Sequence, residues 1–379
     1  HLSVHSFPTR RSSDLVTVTI TAGETGLSLD TGTVNGTPVN GFTDQGDGTY
    51  TATYTVEEGG TDRAAGEDVP VNFVLADAAG NTSTAYTTAI SQGSDAIDAN
   101  TPTISDVSIP NSQAAVGDAV TVTITASETG LSLDNGTVNG VAVTGFTETG
   151  GGTYTATYTV QEGDTDRAAG EDIPVDFVLS DAVGNTSNAY TTAISQGGDA
   201  IDANSPTIGN VSIPNSSAAI GDTVTVTITA GESGLSLDTG TVNGATVTGF
   251  SDAGGGAYTA TYTVQEGDPD RAAGEDIPVE FVLADAAGNT SSAYTTAISQ
   301  AGDAIDTTRP AISGTVAPST TSITDADVGS GGFTLTIDFD EAMNTGVDPV
   351  ISFPASGEDP TSVGNSVASL SNPTGSWAD

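Results

Sequence analysis

Short runs of alternating apolar and polar residues recur along the chain. VTVTIT at residues 120–125 alternates valine or isoleucine with threonine, and TYTATYTV at residues 153–160 alternates threonine with tyrosine, alanine or valine. A period of two is that of a β-strand with one face in a core and one in water. The predicted inward residues are Val120, Val122, Ile124, Tyr154, Ala156, Tyr158 and Val160.

The turn residues between these runs predict how the strands are joined. GTVNGVAVTGF should fold back at Asn139 and Gly140, because Asn-Gly favours a two-residue hairpin turn. IPVDFVLSD and SNAYTTAIS should form another hairpin through DAVGN, and PTISDVSIP should be a first strand. About seven strands of this kind, with threonine on the wet face, predict an all-β fold of antiparallel Ig-like sandwich domains.

The whole pattern repeats with a period of 104 residues. DRAAGED occurs at residues 62–68, 166–172 and 270–276, and VTVTIT begins at Val16, Val120 and Val224. This period suits a sandwich domain and is too long for a solenoid coil. The predicted linear array comprises residues 16–98 (a repeat lacking its first strand), 99–202, 203–306 and a different, truncated Ig-like module at 307–379.

Residues 1–15 do not fit the array. HSFPTRRSSDL at residues 5–15 is the translation of a common short-read sequencing adapter in one reading frame. We therefore interpret residues 1–15 as a sequencing artefact and exclude them from fold reasoning. The remaining chain has no histidine, lysine or cysteine, and its four arginines against 48 acidic residues give a formal charge of −44.

This strong negative charge limits the kinds of molecule that the chain can bind. Nucleic acid and anionic membrane are repelled, whereas cations are attracted. No run of about twenty apolar residues is present, so no membrane insertion is expected. Without cysteine there are no disulfides, and stability outside the cell would need another device such as a metal ion.

Acidic residues concentrate in loops that the predicted fold brings to the borders between domains. DRAAGED lies at the end where the chain leaves a repeat, and DAIDANSP at residues 199–206 links it to the next one. The next repeat contributes the loop after its VTVTIT strand and its last hairpin. The candidate metal ligands are Asp62, Glu67, Asp68, Asp98, Asn100, Glu128, Asp181 and Asn185 at the first border; Asp166, Glu171, Asp172, Asp199, Asp202, Asn204, Glu232, Asp285 and Asn289 at the second; and Asp270, Glu275, Asp303 and Asp306 at the third.

Calcium suits this set of candidates. Ca²⁺ takes six to eight oxygen ligands, whereas zinc, copper and iron usually need His or Cys. At the third border Thr308 replaces Asn204 and Arg309 is added, so the expected site is weaker or is replaced by an ion pair.

DRAAGED, ADAAGN and DAIDANSP resemble a loosened form of the cadherin calcium motifs. More closely, the repeats resemble the Ig-like and cadherin-like tandem repeats of large secreted bacterial adhesins of the RTX type. That resemblance implies calcium ions between domains, which stiffen a long extender at the bacterial cell surface. It departs from the cadherin pattern in the spacing of Arg and Glu and in the smaller number of linker ligands.

Other interpretations remain open. Asp and Asn in such turns often only cap local backbone. Arg63, Arg167 and Arg271 are expected to be structural, each pairing with acids of its own loop. The acidity can also serve solubility or a saline habitat.

For function, we expect a structural extender segment of an extracellular adhesin that takes part in cell adhesion and biofilms. Its partners would be calcium ions and neighbouring repeats, and its adhesion ligand would bind outside this segment. Carbohydrate-binding or protein-binding sandwich modules, and calcium-independent spacers of a surface-layer or phage protein, are the alternatives. Catalysis is not expected, because the residues of Ser-His-Asp, Cys-His and lysine chemistry are missing, and only a glycosidase-type carboxylate pair remains conceivable.

Overall fold

The computed structural model describes residues 9–94, 96–198, 200–302, 304–319, 326, 335–341 and 343. The chain separates into two compact units. The first comprises residues 1–207 with 234–236 and 284–291, and the second comprises residues 208–233, 237–283 and 292–379. The described residues form β-strands and turns without an α-helix, which confirms the predicted all-β fold class. The predicted domain bounds stay predictions.

The first repeat contains two antiparallel three-stranded sheets, ordered β2-β6-β5 and β4-β3-β7, and a short parallel pair β1-β8. Its strands are β1 (Arg10–Arg11), β2 (Leu15–Thr21), β3 (Ser28–Val34), β4 (Thr37–Pro38), β5 (Asn40–Asp44), β6 (Thr49–Thr55), β7 (Val71–Ala76) and β8 (Ile97–Asp98).

The second repeat has a four-stranded sheet ordered β14-β15-β11-β9 and a three-stranded sheet ordered β13-β12-β16. Its strands are β9 (Ile104–Ser108), β10 (Ala114–Ala115), β11 (Ala119–Ala126), β12 (Ser132–Val138), β13 (Val141–Ala142), β14 (Thr144–Gly150), β15 (Thr153–Thr159), β16 (Val175–Ser180) and β17 (Ile201–Asp202). The counterpart of β9 in the first repeat would fall within residues 1–8, outside the described residues.

The third repeat has the same two sheets, ordered β18-β20-β24-β23 and β22-β21-β25. Its strands are β18 (Ile208–Ser212), β19 (Ala218–Ala219), β20 (Thr223–Ala230), β21 (Ser236–Val242), β22 (Ala245–Thr246), β23 (Thr248–Gly254), β24 (Ala257–Thr263), β25 (Val279–Ala284) and β26 (Ile305–Asp306). After it, β27 (Ala317–Pro318) pairs with β28 (Leu335–Thr336). Most of the predicted module at 307–379 lies outside the described residues.

The alternating pattern forms the core of each repeat. In β15, Tyr154 and Tyr158 are fully buried while the threonines between them are partly exposed, and β11 pairs with this strand in antiparallel register. Tyr154 also stacks on Phe146 with ring centroids 5.0 Å apart. Val120 is the exception among the predicted inward residues, since it is only partly buried at the start of β11.

The predicted hairpin at Asn139 and Gly140 is confirmed. Both residues have positive φ, 54° and 82°, as a two-residue hairpin turn of this kind requires. The Asn139 side chain is buried and accepts a hydrogen bond from Arg167 Nε at 2.8 Å. Arg63 and Arg271 make the same contact with Asn35 and Asn243.

These arginines therefore have a structural role, as expected, but acids of their own loops are not their main partners. The main partner is a buried turn amide, and an ion pair with a loop acid is seen for Arg63 with Glu67 at 4.0 Å. In each of these two-residue turns the asparagine amide lies inside the repeat, where the arginine of the loop donates a hydrogen bond to it.

The last predicted hairpin forms, although its second arm is not a continuous strand. Isolated antiparallel bridges join Phe177 to Tyr190 and Ile173 to Ile194. Between these bridges and the turn, the Leu179 N–H donates to the Ser187 hydroxyl instead of to a main-chain carbonyl. The serine hydroxyl thus takes the place of the main-chain carbonyl that accepts this hydrogen bond in a regular sheet, and it interrupts the strand.

Residues 10 and 11, within the segment interpreted as an artefact, occupy the place that Ala114 and Ala115 occupy one repeat later. Arg10 and Arg11 pair in parallel with Ile97 and Asp98. This pairing uses main-chain groups, so it places no demand on the side chains, and the artefact interpretation stays a prediction.

Candidate metal centre at the repeat borders

The linker after the first repeat is held by the repeat's own acidic loop. Arg63 and Ile97 exchange two main-chain hydrogen bonds of 2.8 and 2.9 Å, which fixes β8. The Asp62 carboxylate accepts hydrogen bonds from the Ala99 N–H and from Asn100 Nδ2, both at 2.8 Å. Asp98 lies between these anchors, so its position is set by the fold of the repeat that precedes the border.

Glu128 is positioned by a buried tyrosine of the second repeat. The Tyr154 hydroxyl donates to the Glu128 carbonyl at 3.0 Å and accepts from the Leu131 N–H at 3.0 Å. Gly152 lies directly beneath this loop, because a Cβ there would be 2.6 Å from the Ala126 carbonyl oxygen. The loop that carries Glu128 is therefore fixed to the sheet at both ends.

Asp181 opens the turn DAVGN of the second repeat. Its Oδ1 accepts main-chain hydrogen bonds from Val183, Gly184 and Asn185 at 2.7–2.9 Å. Its Oδ2 accepts from Asn185 Nδ2 at 2.7 Å. Asp181 therefore caps the backbone of its own turn, which is the alternative interpretation of this motif.

Asp98, Glu128 and Asp181 come together at the first border. All three are partly buried, and one carboxylate oxygen from each lies within 4.8 Å of the others. Burial, followed by repulsion from Asp98 and Asp181, raises the pKa of Glu128. Burial raises the pKa of Asp98 as well, with further repulsion from Asp181, Asp62 and Glu58.

This arrangement fits a divalent cation. With Ca–O distances of 2.3–2.6 Å, two oxygens bound to one Ca²⁺ lie at most about 5 Å apart. The three carboxylates can therefore share one ion and supply part of its six to eight oxygen ligands. One comes from the first repeat's linker and two come from the second repeat.

The second border repeats part of this arrangement within the first compact unit. Burial raises the pKa of Asp202, and repulsion from Asp285, Asp166 and Glu162 adds to it. The Asp166 carboxylate accepts from the Ala203 N–H at 2.8 Å and from Asn204 Nδ2 at 2.7 Å. Glu232 belongs to the second compact unit, where its side chain is exposed.

The third border has a different chemistry, as expected from its sequence. Asp270 accepts hydrogen bonds from Thr307 and Thr308, and those bonds lower its pKa. Arg309 Nε pairs with Glu266 Oε2 at 2.9 Å, although both side chains are largely exposed. An ion pair therefore stands where the other borders have uncharged residues facing the corresponding glutamate.

Several predicted ligands serve their own loops in this structure. Glu67, Glu171 and Glu275 accept hydrogen bonds from the N–H groups of Ala64, Ala168 and Ala272 at 2.8–2.9 Å. Asp68 and Asp172 are exposed, while Asp199 and Asp303 lie outside the described residues.

The predicted asparagine ligands are engaged in hydrogen bonds. Asn100 and Asn204 donate to Asp62 and Asp166, and the side chains of Asn185 and Asn289 are used on both their oxygen and their nitrogen. A ligand role for these residues stays a prediction.

Sequence reasoning missed two groups of border acids. Glu58 accepts from the Thr101 N–H at 2.9 Å, and this bond lowers its pKa. Its counterparts Glu162 and Glu266 hold Ser205 and Arg309, and the recurrence at the same place in each repeat was the available signal. At the third border, burial and repulsion from Asp306, Asp340 and Asp270 raise the pKa of Glu341, within the acid run DFDEAM.

Comparison with known proteins agrees with this architecture. Residues 202–301 match the family described as the bacterial Ig-like domain. The repeats are tandem Ig-like β-sandwich domains. The chain matches none of the curated proteins.

Three solved structures illustrate the likeness. The FdeC adhesin of Escherichia coli is 19% identical over 80% of this chain and 99% of that chain, with a TM-score of 0.30. The fibronectin(III)-like modules of Clostridium thermocellum CbhA are 16% identical over 52% and 94%, with a TM-score of 0.22. The ICAM-5 D1–D4 ectodomain fragment is 14% identical over 80% and 76%, with a TM-score of 0.29. In the described part of the chain, no helix is long and apolar enough to span a membrane.

Proposed function

We propose that these repeats are an extender segment of a bacterial surface adhesin of the RTX type, and that calcium ions at the repeat borders stiffen it. The observation that carries the proposal is the cluster of Asp98, Glu128 and Asp181 within 4.8 Å. These carboxylates come from a linker, a loop and a turn of two successive repeats, so an ion bound to all three ties one repeat to the next.

The proposed mechanism is electrostatic. Residues 103–206, the length of one repeat, contain fourteen acids and one arginine and so carry a charge of −13. Without an ion, the border acids repel one another across the linker. In calcium-rich medium, an ion that binds the closed border but not the open chain stabilises the border by mass action, by about 2.7 kcal/mol at a hundredfold excess over its dissociation constant.

The same mechanism suits a segment that is exported and then extended. Repulsion makes the borders more mobile where calcium is scarce, without separating the repeats, and calcium outside the cell stiffens them. In this proposal the adhesion ligand binds outside this segment, and neither nucleic acid nor membrane insertion is involved.

Small-angle X-ray scattering of the full chain tests the proposal. We expect the maximum dimension to increase, and the distribution of interdomain distances to narrow, when calcium replaces chelator. A variant combining Asp98→Asn with Glu128→Gln should lose the response of the first border, while Glu280→Gln, an exposed position on β25, should keep it. Equal scattering with calcium and with chelator would show that calcium does not stiffen the chain.

The tyrosines of the alternating strand offer no platform for the alternative function of a carbohydrate-binding module. Glycan sites commonly use exposed aromatic rings, but Tyr154 and Tyr158 are both 0% exposed. Their rings fill the sandwich core of the second repeat, so they are not available to a sugar.

A further inference from the structure

The asparagine that ends the DxxGN turn makes the same contacts at two borders. Asn289 is 4% exposed; its Nδ2 donates to the Asp202 carbonyl at 3.1 Å, and its Oδ1 accepts from the Val116 N–H at 2.7 Å. Asn185 is 3% exposed, and its Nδ2 lies within hydrogen-bond distance of the Asp98 and Asn100 carbonyls. Its Oδ1 accepts from the Ser12 N–H at 2.7 Å.

All of these partners are main-chain groups. Val116 and Asp202 belong to the repeat before Asn289, Asp98 belongs to the repeat before Asn185, Asn100 follows Asp98 in the linker, and Ser12 lies ahead of the first predicted repeat. An amide side chain offers both a donor and an acceptor, so one asparagine can satisfy an N–H and a C=O of the same neighbour. Burying main-chain groups without hydrogen-bond partners is costly. The contact therefore favours a linker that is correctly placed. The side chains of the linker do not take part in it.

The turn itself does not need the neighbour in order to form. In the first repeat, Asn81 Nδ2 donates to Asp77 Oδ2 and the Asn81 N–H donates to Asp77 Oδ1, both at 2.8 Å. Asn185 makes the same two bonds to Asp181, at 2.7 and 2.9 Å. Asn81 is nevertheless exposed, whereas Asn185 is buried. The receptor geometry is therefore preformed, and burial comes from the partner.

The surface around Asn81 is a groove rather than a closed face. Ala22, Glu24, Leu27, Leu75, Asp77 and Asn81 are among the residues that line it. Glu24 and Asp77 occupy the positions that Glu128 and Asp181 occupy in the second repeat. The groove thus presents two of the three carboxylates of a border cluster as well as the exposed Asn81 side chain.

We propose that the DxxGN turn is a cation-independent receptor for the main chain of a preceding repeat's linker. Two copies of it are occupied, at Asn185 and Asn289. Among the described residues no linker lies against the copy at Asn81, and its partner is the linker end, with the sequence Ile-Asp-Ala-Asn, of another Ig-like repeat of this kind. The asparagine sets the placement of the two repeats, and a cation adds to a border that is already assembled.

Amide hydrogen exchange on the full chain tests the receptor in the presence of chelator. Asn289→Ala removes the acceptor of the Val116 N–H, so we expect exchange at Val116 to rise about tenfold. Asn81→Ala is the matched control, because it breaks the same local turn without a border contact, and it should leave Val116 unchanged. Equal exchange in both variants, or protection of Val116 that vanishes in wild type when calcium is removed, would overturn the proposal. The second outcome leaves calcium binding intact and so separates this inference from the proposed function.

An extended chain tests the open copy. Replacing residues 1–15 with a copy of residues 16–119 adds one period and places a linker directly ahead of the original first repeat. In this chain, Asn81→Ala in the original first repeat should lower the melting temperature of that repeat by about 4–8 °C more than it does in the parent chain. The same small effect of Asn81→Ala in both chains would show that the groove does not receive a linker.

Discussion

Glu128→Gln should change the stability of the first border in opposite directions with and without calcium. The substitution keeps the size of the side chain but removes one of three clustered charges. In chelator the variant should be more stable than wild type, because it relieves repulsion. In calcium it should be less stable, because it loses an ionised ligand.

The magnitude follows from the distances. At 4.8 Å, two unit charges repel by about 0.9 kcal/mol in water and by about 3.5 kcal/mol at an effective dielectric constant of 20. Glu128 takes part in two such pairs, and salt screens both of them. We therefore expect a gain of about 1–2 kcal/mol in chelator. We expect a hundredfold loss of calcium affinity, equal to about 2.8 kcal/mol, which outweighs this gain once the site is saturated.

Differential scanning calorimetry and equilibrium dialysis against calcium provide the two measurements. A change of 1 kcal/mol shifts the melting temperature of a domain of this size by about 4–8 °C. Glu280→Gln is the control, since it makes the same substitution at an exposed position on β25. It should change neither the number of bound ions nor the sign of the calcium effect.

The pH dependence of the calcium-free border gives an independent check. The pKa values of Asp98 and Glu128 are raised in the folded state, so this state holds their protons more tightly than the unfolded chain does. Their repulsion is absent at a pH below the unfolded pKa values and appears as the pH rises through the folded ones. In chelator, wild type should therefore gain stability relative to Glu128→Gln as the pH falls from 7 toward 5.

Two results would refute the reasoning about the cluster. One is destabilisation by Glu128→Gln in chelator, which would mean that its carboxylate makes net favourable contacts. The other is an unchanged calcium affinity in this variant, which would place the ion elsewhere.

Three further predictions concern the fold that holds the borders. Gly152→Ala should lower the free energy of unfolding, measured with denaturant, by about 2 kcal/mol or more beyond the loss caused by Gly151→Ala. Both glycines have positive φ, but of the two only Gly152 lies against a carbonyl oxygen. Equal losses would contradict that close approach. Arg167→Met should cost about 1–3 kcal/mol in the same assay by leaving the buried Asn139 oxygen without its donor, and no loss would refute that pairing. Main-chain hydrogen bonds lower the pKa of Asp44, so its contribution to stability is present at neutral pH and lost as the pH falls through the folded value; Asp44→Asn should flatten the acid side of the melting profile, and an unchanged profile would argue against these bonds.

The sequence predicted the sandwich well because its signals are local. Alternation in VTVTIT and TYTATYTV identified strands whose apolar side chains are buried in β11 and β15. Asn139-Gly140 predicted a hairpin because few other residues accept its backbone conformation. Where side chains interrupt a ladder, as Ser187 does opposite Leu179, the pattern gave no warning, since serine there is equally compatible with a strand.

Only the tertiary structure decided which acids meet. Glu67 and Glu128 are both loop glutamates in the sequence, yet Glu67 binds its own turn and Glu128 joins a cluster from two repeats. Likewise, Asn81 and Asn185 end nearly identical turns, and only the neighbouring linker buries the second. Strand and turn preferences are properties of a few adjacent residues, whereas a border site depends on distances between segments far apart in the chain. The chain sequence therefore determined the repeats and their acidity, and the packing of one repeat against the next determined where that acidity is concentrated.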